Sequence, residues 1–237
     1  MRMTTIGFTT IGESPRDDIV PGMMEILPAG TEAAQRGCLD GLSRPEIDAL
    51  APEDGEVGIV TLLKSGDSVL LSHKKILPIM QRKVDELVRE ENAELIVILC
   101  GADWTAIRCD RLVINPGKVF PGVVSGLAAG RRLGVIKPSA GQVEQELKRY
   151  TSLGIDAVVT SASPYAGAER IELARNAANQ LKAEGCDLIW MTCVGMDRAM
   201  RDEVAEITGK PVILAQSILA RVVSELLPQE SFVAAHV

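Results

Sequence analysis

Along the chain, short aliphatic runs alternate with longer stretches in which apolar residues recur every three or four positions. The runs at 5–9, 57–63, 68–72, 94–100, 132–136, 156–160, 187–192 and 211–214 read as strands. Several are continuously apolar, as expected of parallel strands covered on both faces. Between them, Met80, Val84, Leu87 and Val88 share one helical face. Val143, Leu147 and Tyr150 share another, followed by Ile171, Ala174, Ala178 and Leu181, and then by Met200, Val204 and Ile207. Ile218, Leu219, Val222, Val223 and Leu226 form the apolar part of a closing helix. Strand and helix in alternation predict an α/β fold with mainly parallel sheets flanked by helices.

One segment breaks the alternation. The two runs within 57–72 are joined by Lys64-Ser65-Gly66-Asp67, a short loop that favours an inserted β-hairpin. Ahead of it, Ser43-Arg44-Pro45-Glu46 reads as a helix start, with Ser43 as N-cap and Glu46 three residues on.

The pattern also repeats. Glu94-Leu95-Ile96-Val97-Ile98-Leu99-Cys100 matches Asp187-Leu188-Ile189-Trp190-Met191-Thr192-Cys193, and Ile6-Gly7-Phe8 loosely matches Leu133-Gly134-Val135. Two pseudo-symmetric α/β half-domains follow, 1–130 carrying the hairpin and 131–237, with no long linker between them. Segments crossing over could complete the second half.

Composition narrows the function. Of 237 residues, 46% are hydrophobic but only 3% aromatic, so the core is aliphatic. Acidic residues outnumber basic ones 32 to 25, with no Lys/Arg cluster of the kind that phosphate-backbone binding needs; nucleic acid is not an expected partner. The start lacks a long apolar segment after Arg2, and no apolar run is long enough to cross a bilayer. Five irregularly spaced cysteines do not read as a disulfide framework, and with only His73 and His236 a zinc site is not expected. These features point to the reducing cytoplasm, with no membrane partner. No GxGxxG follows a strand and no GxxxxGK[ST] occurs, so no nucleotide or other cofactor is expected.

The chemistry rests on thiols. In an open α/β sheet, ligands bind beyond the carboxyl ends of the strands, where Cys100 and Cys193 both fall. Two thiols facing one carbon could move a proton off one face and onto the other, since a thiol pKa of about 8.5 needs only modest tuning. Strand-to-helix turns after each cysteine would aim backbone N–H groups of Gly101, Val194 and Gly195 at an anion. Cys38, Cys109 and Cys186 read as core residues, and Cys186 lies at the opposite end of its strand.

Thr10-Ile11-Gly12-Glu13-Ser14-Pro15-Arg16, Leu42-Ser43-Arg44, Thr61-Leu62-Leu63, Cys193-Val194-Gly195-Met196, Ile218-Leu219-Ala220-Arg221 and Glu225-Leu226-Leu227 together resemble the AroM family over essentially the whole chain. That family is similar to the aspartate/glutamate/hydantoin racemase superfamily. The resemblance implies two pseudo-symmetric domains with a cysteine from each at their interface, at the positions of Cys100 and Cys193. The chain departs from the racemase pattern at Gly101-Ala102-Asp103, where Asn-Thr is common, and at Lys137-Pro138-Ser139 and Val194-Gly195. These departures leave the substrate open.

Other polar residues fall on loops expected to line the same cleft. Thr9, Thr10, Glu13, Ser14 and Arg16 follow the first strand. Arg16 could clamp a carboxylate, whereas Ser14 could instead cap a helix begun by Pro15. Glu13 and Asp103 are candidate ammonium partners or auxiliary bases. Ser161 and Ser163 could bind a carboxylate or form a plain turn. Lys137 could be a carboxylate clamp or merely exposed. Trp104 and Trp190 read as packing residues.

Three functions remain open at this point. The first is a cofactor-independent racemase or isomerase acting next to a small carboxylate, with Cys100 and Cys193 as an acid/base pair. The second is a single-cysteine decarboxylase or cis–trans isomerase. The third is a non-catalytic carboxylate-binding or accessory protein. The aliphatic closing helix could serve a homo-oligomer as well as a core.

Overall fold

The computed structural model describes residues 3–56 and 58–227. The chain forms β1 (Thr4–Thr10), α1 (Val20–Met24), β2 (Thr31–Gly37), α2 (Arg44–Asp48), β3 (Ile59–Leu62), β4 (Ser68–Leu71), α3 (His73–Glu91), β5 (Leu95–Ile98), β6 (Leu112–Ile114) and α4 (Pro116–Leu127). It continues through β7 (Leu133–Lys137), α5 (Val143–Ser152), β8 (Ala157–Ser161), α6 (Arg170–Ala183), β9 (Leu188–Met191), α7 (Arg198–Thr208), β10 (Val212–Leu214) and α8 (Ala215–Glu225).

Two four-stranded parallel sheets result, ordered β2-β1-β5-β6 and β10-β9-β7-β8. Counted from the first strand of each, both follow one plan. Ile6 and Gly7 lie beside Leu95 and Ile96 in the first sheet, and Leu133 and Gly134 lie beside Leu188 and Ile189 in the second. The glycines sit where helix crosses sheet. A Cβ on Gly7 would come within 2.7 Å of Ile96 Cδ1 and 3.1 Å of Leu87 Cδ1. One on Gly134 would come within 2.7 Å of Ile189 Cδ1 and 3.0 Å of Leu181 Cδ1. The duplication legible in the sequence is thus a duplication of packing.

Strand alternation sorts side chains into three apolar layers. Leu95, Val97 and Leu99 join Leu133, Val135, Leu188 and Trp190 in a core shared by both sheets, closed by α1, α4 and α8. Ile96 and Ile98 face α3, against Ile76, Met80, Val84 and Leu87. Ile189 and Met191 face α6 and α7, against Ala174, Ala178, Leu181, Met200 and Val204. The predicted helical faces hold with two exceptions: on α5, Tyr150 is buried but Leu147 is exposed, and Leu226, just past the end of α8, is exposed as well.

The hairpin forms as expected, β3 pairing antiparallel with β4 as a separate two-stranded sheet; Val57 lies outside the described residues. The helix start at Ser43 forms too, the Ser43 N–H donating to Glu46 Oε2 at 2.7 Å. Strands β2 and β6 were not expected. Both are sheet edges; β2 is largely half-exposed and β6 is three residues long. His236 lies outside the described residues. Among the described residues, no helix is long and apolar enough to cross a membrane.

Candidate active site

A cavity of about 780 Å³ opens beyond the carboxyl ends of both sheets. Cys100 and Cys193 both line it, each just past the end of an equivalent strand, β5 and β9. Arg16, Gly101, Asp103 and Val194 line it as well.

The turns at the two cysteines differ. After Cys193 the chain makes a short turn into α7, which Asp197 caps by accepting from the Met200 N–H at 2.9 Å. After Cys100 the expected strand-to-helix turn is not formed. Residues 101–111 make an irregular loop leading to β6. Asp103 organises that loop. Its carboxylate accepts from Thr105 and Asn115 and pairs with Lys118 at 2.7 Å. Those partners hold its pKa well below the usual carboxylate range, Lys118 foremost. Trp104 is fully buried and donates from Nε1 to the Cys100 carbonyl at 3.2 Å, while the His73 ring lies tilted against its ring, centroids 4.6 Å apart.

Burial pushes the Cys100 thiol up to about 11, partly opposed by the Ala102 N–H. Burial raises Cys193 also, but four groups oppose it: the Gly195 N–H, the Tyr165 hydroxyl, and the charges of Arg16 and Lys137. Tyr165 Oη lies 3.8 Å from Cys193 Sγ and 3.5 Å from Arg16 Nη2. Gly195 permits this approach, since a Cβ there would fall 2.5 Å from Tyr165 Oη. The turn N–H groups therefore act on the sulfurs themselves.

Arg16 is 5% exposed and reaches across from the first half. Burial works against its charge, but a two-pronged contact to Asp18, at 2.7 and 2.6 Å, outweighs this and keeps it cationic. Its guanidinium also donates to Thr10 Oγ1 at 3.2 Å, and its carbon lies 5.8 Å from the centre of the Tyr165 ring.

Several expected ligand residues serve other ends. Thr9 is fully buried on the face of β1 toward α3, and its hydroxyl donates to Met80 Sδ at 3.2 Å, away from the cavity. Thr10 positions Arg16. Glu13 accepts the Lys64 N–H at 2.6 Å and so tethers the hairpin turn. Ser14 caps no helix: its N–H and hydroxyl both bind Asp40, at 2.7 and 2.6 Å, and α1 begins only at Val20. Ser163 makes the plain turn, accepting the Tyr165 N–H at 3.2 Å. Ser161 ends β8 and is not among the lining residues.

Sequence reasoning missed the wall contributed by α5. Gln142, Glu146 and Arg149 line the cavity at i, i+4, i+7, a polar stripe whose helical spacing was readable. Lys137, 17% exposed, pairs with Glu146 at 3.5 Å, and Arg149 binds the same carboxylate at 2.6 Å. Burial would raise Glu146, but Lys137 and Arg149 prevail and lower it. Tyr165 had no signal beyond its nearness to Ser163. Further lining comes from the hairpin, where Gly58, Ile59, Val60 and Thr61 reach the cavity, and from Phe120 and Trp190, whose rings meet edge-on at 5.1 Å.

Among the described residues, no group of three or more His, Cys, Asp or Glu side chains is arranged to hold a metal ion. The arrangement that does exist is two thiols, a buried guanidinium and a lysine around one cavity.

The fold is that of the aspartate/glutamate racemases. Allantoin racemase from Pseudomonas fluorescens superposes with a TM-score of 0.57 at 13% identity, over 94% of this chain and 90% of that one. Glutamate racemase isoform RacE1 from Bacillus anthracis gives 0.57 at 14% identity, over 96% and 82%. Unliganded arylmalonate decarboxylase gives 0.52 at 15%, over 94% and 91%. No curated protein matches by sequence. Within this fold the chain belongs to the AroM protein family, whose model matches residues 6–227.

Proposed function

We propose that the protein is a cofactor-independent racemase or isomerase acting at the carbon next to a carboxylate. Cys100 and Cys193 are its acid/base pair, one from each half-domain, 1–130 and 131–237, in a cytoplasmic setting that keeps both thiols reduced. One observation carries this reading: two cysteines at equivalent positions of a duplicated sheet open onto one cavity that also holds Arg16 and Lys137.

The surroundings support a division of roles. Burial raises Cys193 as well, but the Gly195 N–H, the Tyr165 hydroxyl and two cations beside it work in favour of its thiolate. It removes the proton. Cys100, pushed up to about 11, keeps its proton at neutral pH and delivers it to the opposite face. In the reverse direction the roles exchange. Arg16 and Lys137 attract the substrate carboxylate and oppose the charge that develops on it as the α-proton leaves.

Incubation in D₂O with a panel of amino acids and 2-hydroxy acids tests this. The wild type incorporates α-deuterium into its substrate, and Cys193→Ser and Cys100→Ser each lower the rate by about 100-fold or more. Undiminished exchange in either variant contradicts the pair.

The unequal surroundings of the two thiols favour a second reading, in which Cys193 acts alone in a decarboxylation or cis–trans isomerisation. Cys100→Ala then retains most of the activity.

A further inference from the structure

The charged side chains around the cavity can be paired off. Arg16, Lys137, Lys148 and Arg149 line it, and among its described lining residues the acidic ones are Asp103 and Glu146. Cations of the chain already hold both carboxylates. Asp103 pairs through Oδ2 with Lys118 at 2.7 Å, and its Oδ1 accepts from the Thr105 N–H at 2.9 Å and from Asn115 at 3.2 Å. Glu146 meets Lys137 through Oε2 at 3.5 Å and Arg149 through Oε1 at 2.6 Å.

Glu146 is the acidic group that lies with the carboxylate-attracting Lys137. Lys137 ends the central strand β7, and Glu146 and Arg149 follow on α5. Lys137 is 17% exposed and Glu146 14%, so both reach the cavity while water screens their charges only in part. An α-amino acid carries its ammonium one carbon away from the carboxylate that these cations attract. Glu146 could receive that ammonium only in competition with Lys137 and Arg149, and a third cation would then crowd the two already there. A 2-hydroxy acid brings the same carboxylate with a neutral group in place of the ammonium.

We infer that the substrate is a carboxylic acid without an α-ammonium group, such as a 2-hydroxy acid, because Lys137 and Arg149 occupy the carboxylate that would receive one. This narrows the substrate class of the proposed reaction and rests on that reading for the carboxylate itself.

The test is calorimetric titration of the wild-type protein at neutral pH with matched acids. Both hands of 2-amino acids with apolar, aromatic and acidic side chains are each set beside the 2-hydroxy acid of the same skeleton. The hydroxy acids that bind do so about tenfold tighter than their amino partners, a difference of about 1.4 kcal/mol. Arg149→Gln, which leaves Glu146 a single cation, narrows the preference. Lys148→Gln, whose partner is Glu144 at 2.6 Å, does not. Amino acids that bind as tightly as their partners, or a preference unchanged in Arg149→Gln, overturn the inference and leave the proposed reaction standing. A preference for hydroxy acids without α-deuterium exchange keeps the inference and removes the reaction. Binding of neither kind contradicts the carboxylate site and removes both.

Discussion

The two halves of the molecule follow one plan up to their cysteines and part company immediately afterwards. In each, a helix leads through a left-handed residue, Asn92 or Gly185, into a small buried side chain, Ala93 or Cys186, and then into a strand ending beside a cysteine. In each, an isoleucine on that strand packs on a glycine of the neighbouring one. Beyond the cysteine, the second half continues into α7, whereas the first makes an irregular loop fastened by Asp103. The repeated part places the thiols. The unrepeated part decides what surrounds them: Tyr165 and Arg16 beside Cys193, Trp104 and Ala102 beside Cys100.

Substitutions at the repeated positions should have the largest effect on stability. Gly7→Val and Gly134→Val each insert atoms where a Cβ already meets Ile96 or Ile189 at 2.7 Å. Each should cost about 1–3 kcal/mol, seen as a lower urea midpoint with unchanged slope. Similar losses sustain the equivalence of the halves; a loss at only one breaks it.

A smaller effect sharpens the asymmetry. Tyr165→Phe removes the hydroxyl 3.8 Å from Cys193 Sγ. The pH at which Cys193 becomes alkylable should move upward, because the hydroxyl that favours its thiolate is gone, while Cys100 is unmoved. Peptide mapping after iodoacetamide treatment at several pH values reads both sites at once. Equal shifts at the two thiols would contradict the assignment of Tyr165 to Cys193.

The smallest effect concerns the first-half loop. Asp103 ionises more readily folded than unfolded, because Lys118, Thr105 and Asn115 hold its charge. Its contribution to stability is therefore complete above the ordinary carboxylate pKa of about 3.9 and is lost as pH falls below it. The carboxylate is half-exposed, so the contribution is modest. Asp103→Asn should lower neutral stability slightly and flatten the acid limb of a stability–pH curve by the same amount, the two proteins converging in acid; an unaltered limb would show the loop does not depend on that charge.

The repeat was legible because the central strands are aliphatic on both faces, as at Leu95–Ile98 and Leu188–Met191. The edges were not. Thr31–Gly37 reads Thr-Glu-Ala-Ala-Gln-Arg-Gly, a half-exposed strand with neither an apolar run nor a clean alternation. The cysteines could be found because they inherit the strand repeat. The loop residues could not be assigned so securely, because in a loop the side-chain direction follows from tertiary contacts. Thr9 shows the consequence: one position from Thr10, it faces Met80 instead of the cavity, by the pleat alone. Lys137, Glu146 and Tyr165 belong to the second half, and only the folded chain brings them to the thiols.

The central claim is that the duplicated strands present two thiols to one ligand. A short bis-electrophile that fluoresces only when both ends have reacted with thiols, such as dibromobimane, tests it without knowledge of the substrate. In a Cys38→Ala, Cys109→Ala, Cys186→Ala background, the account predicts an intramolecular bridge joining the Cys100 and Cys193 peptides, blocked in advance by alkylating either one. Single adducts at both cysteines with no bridged pair, even with longer bis-maleimides, would contradict it.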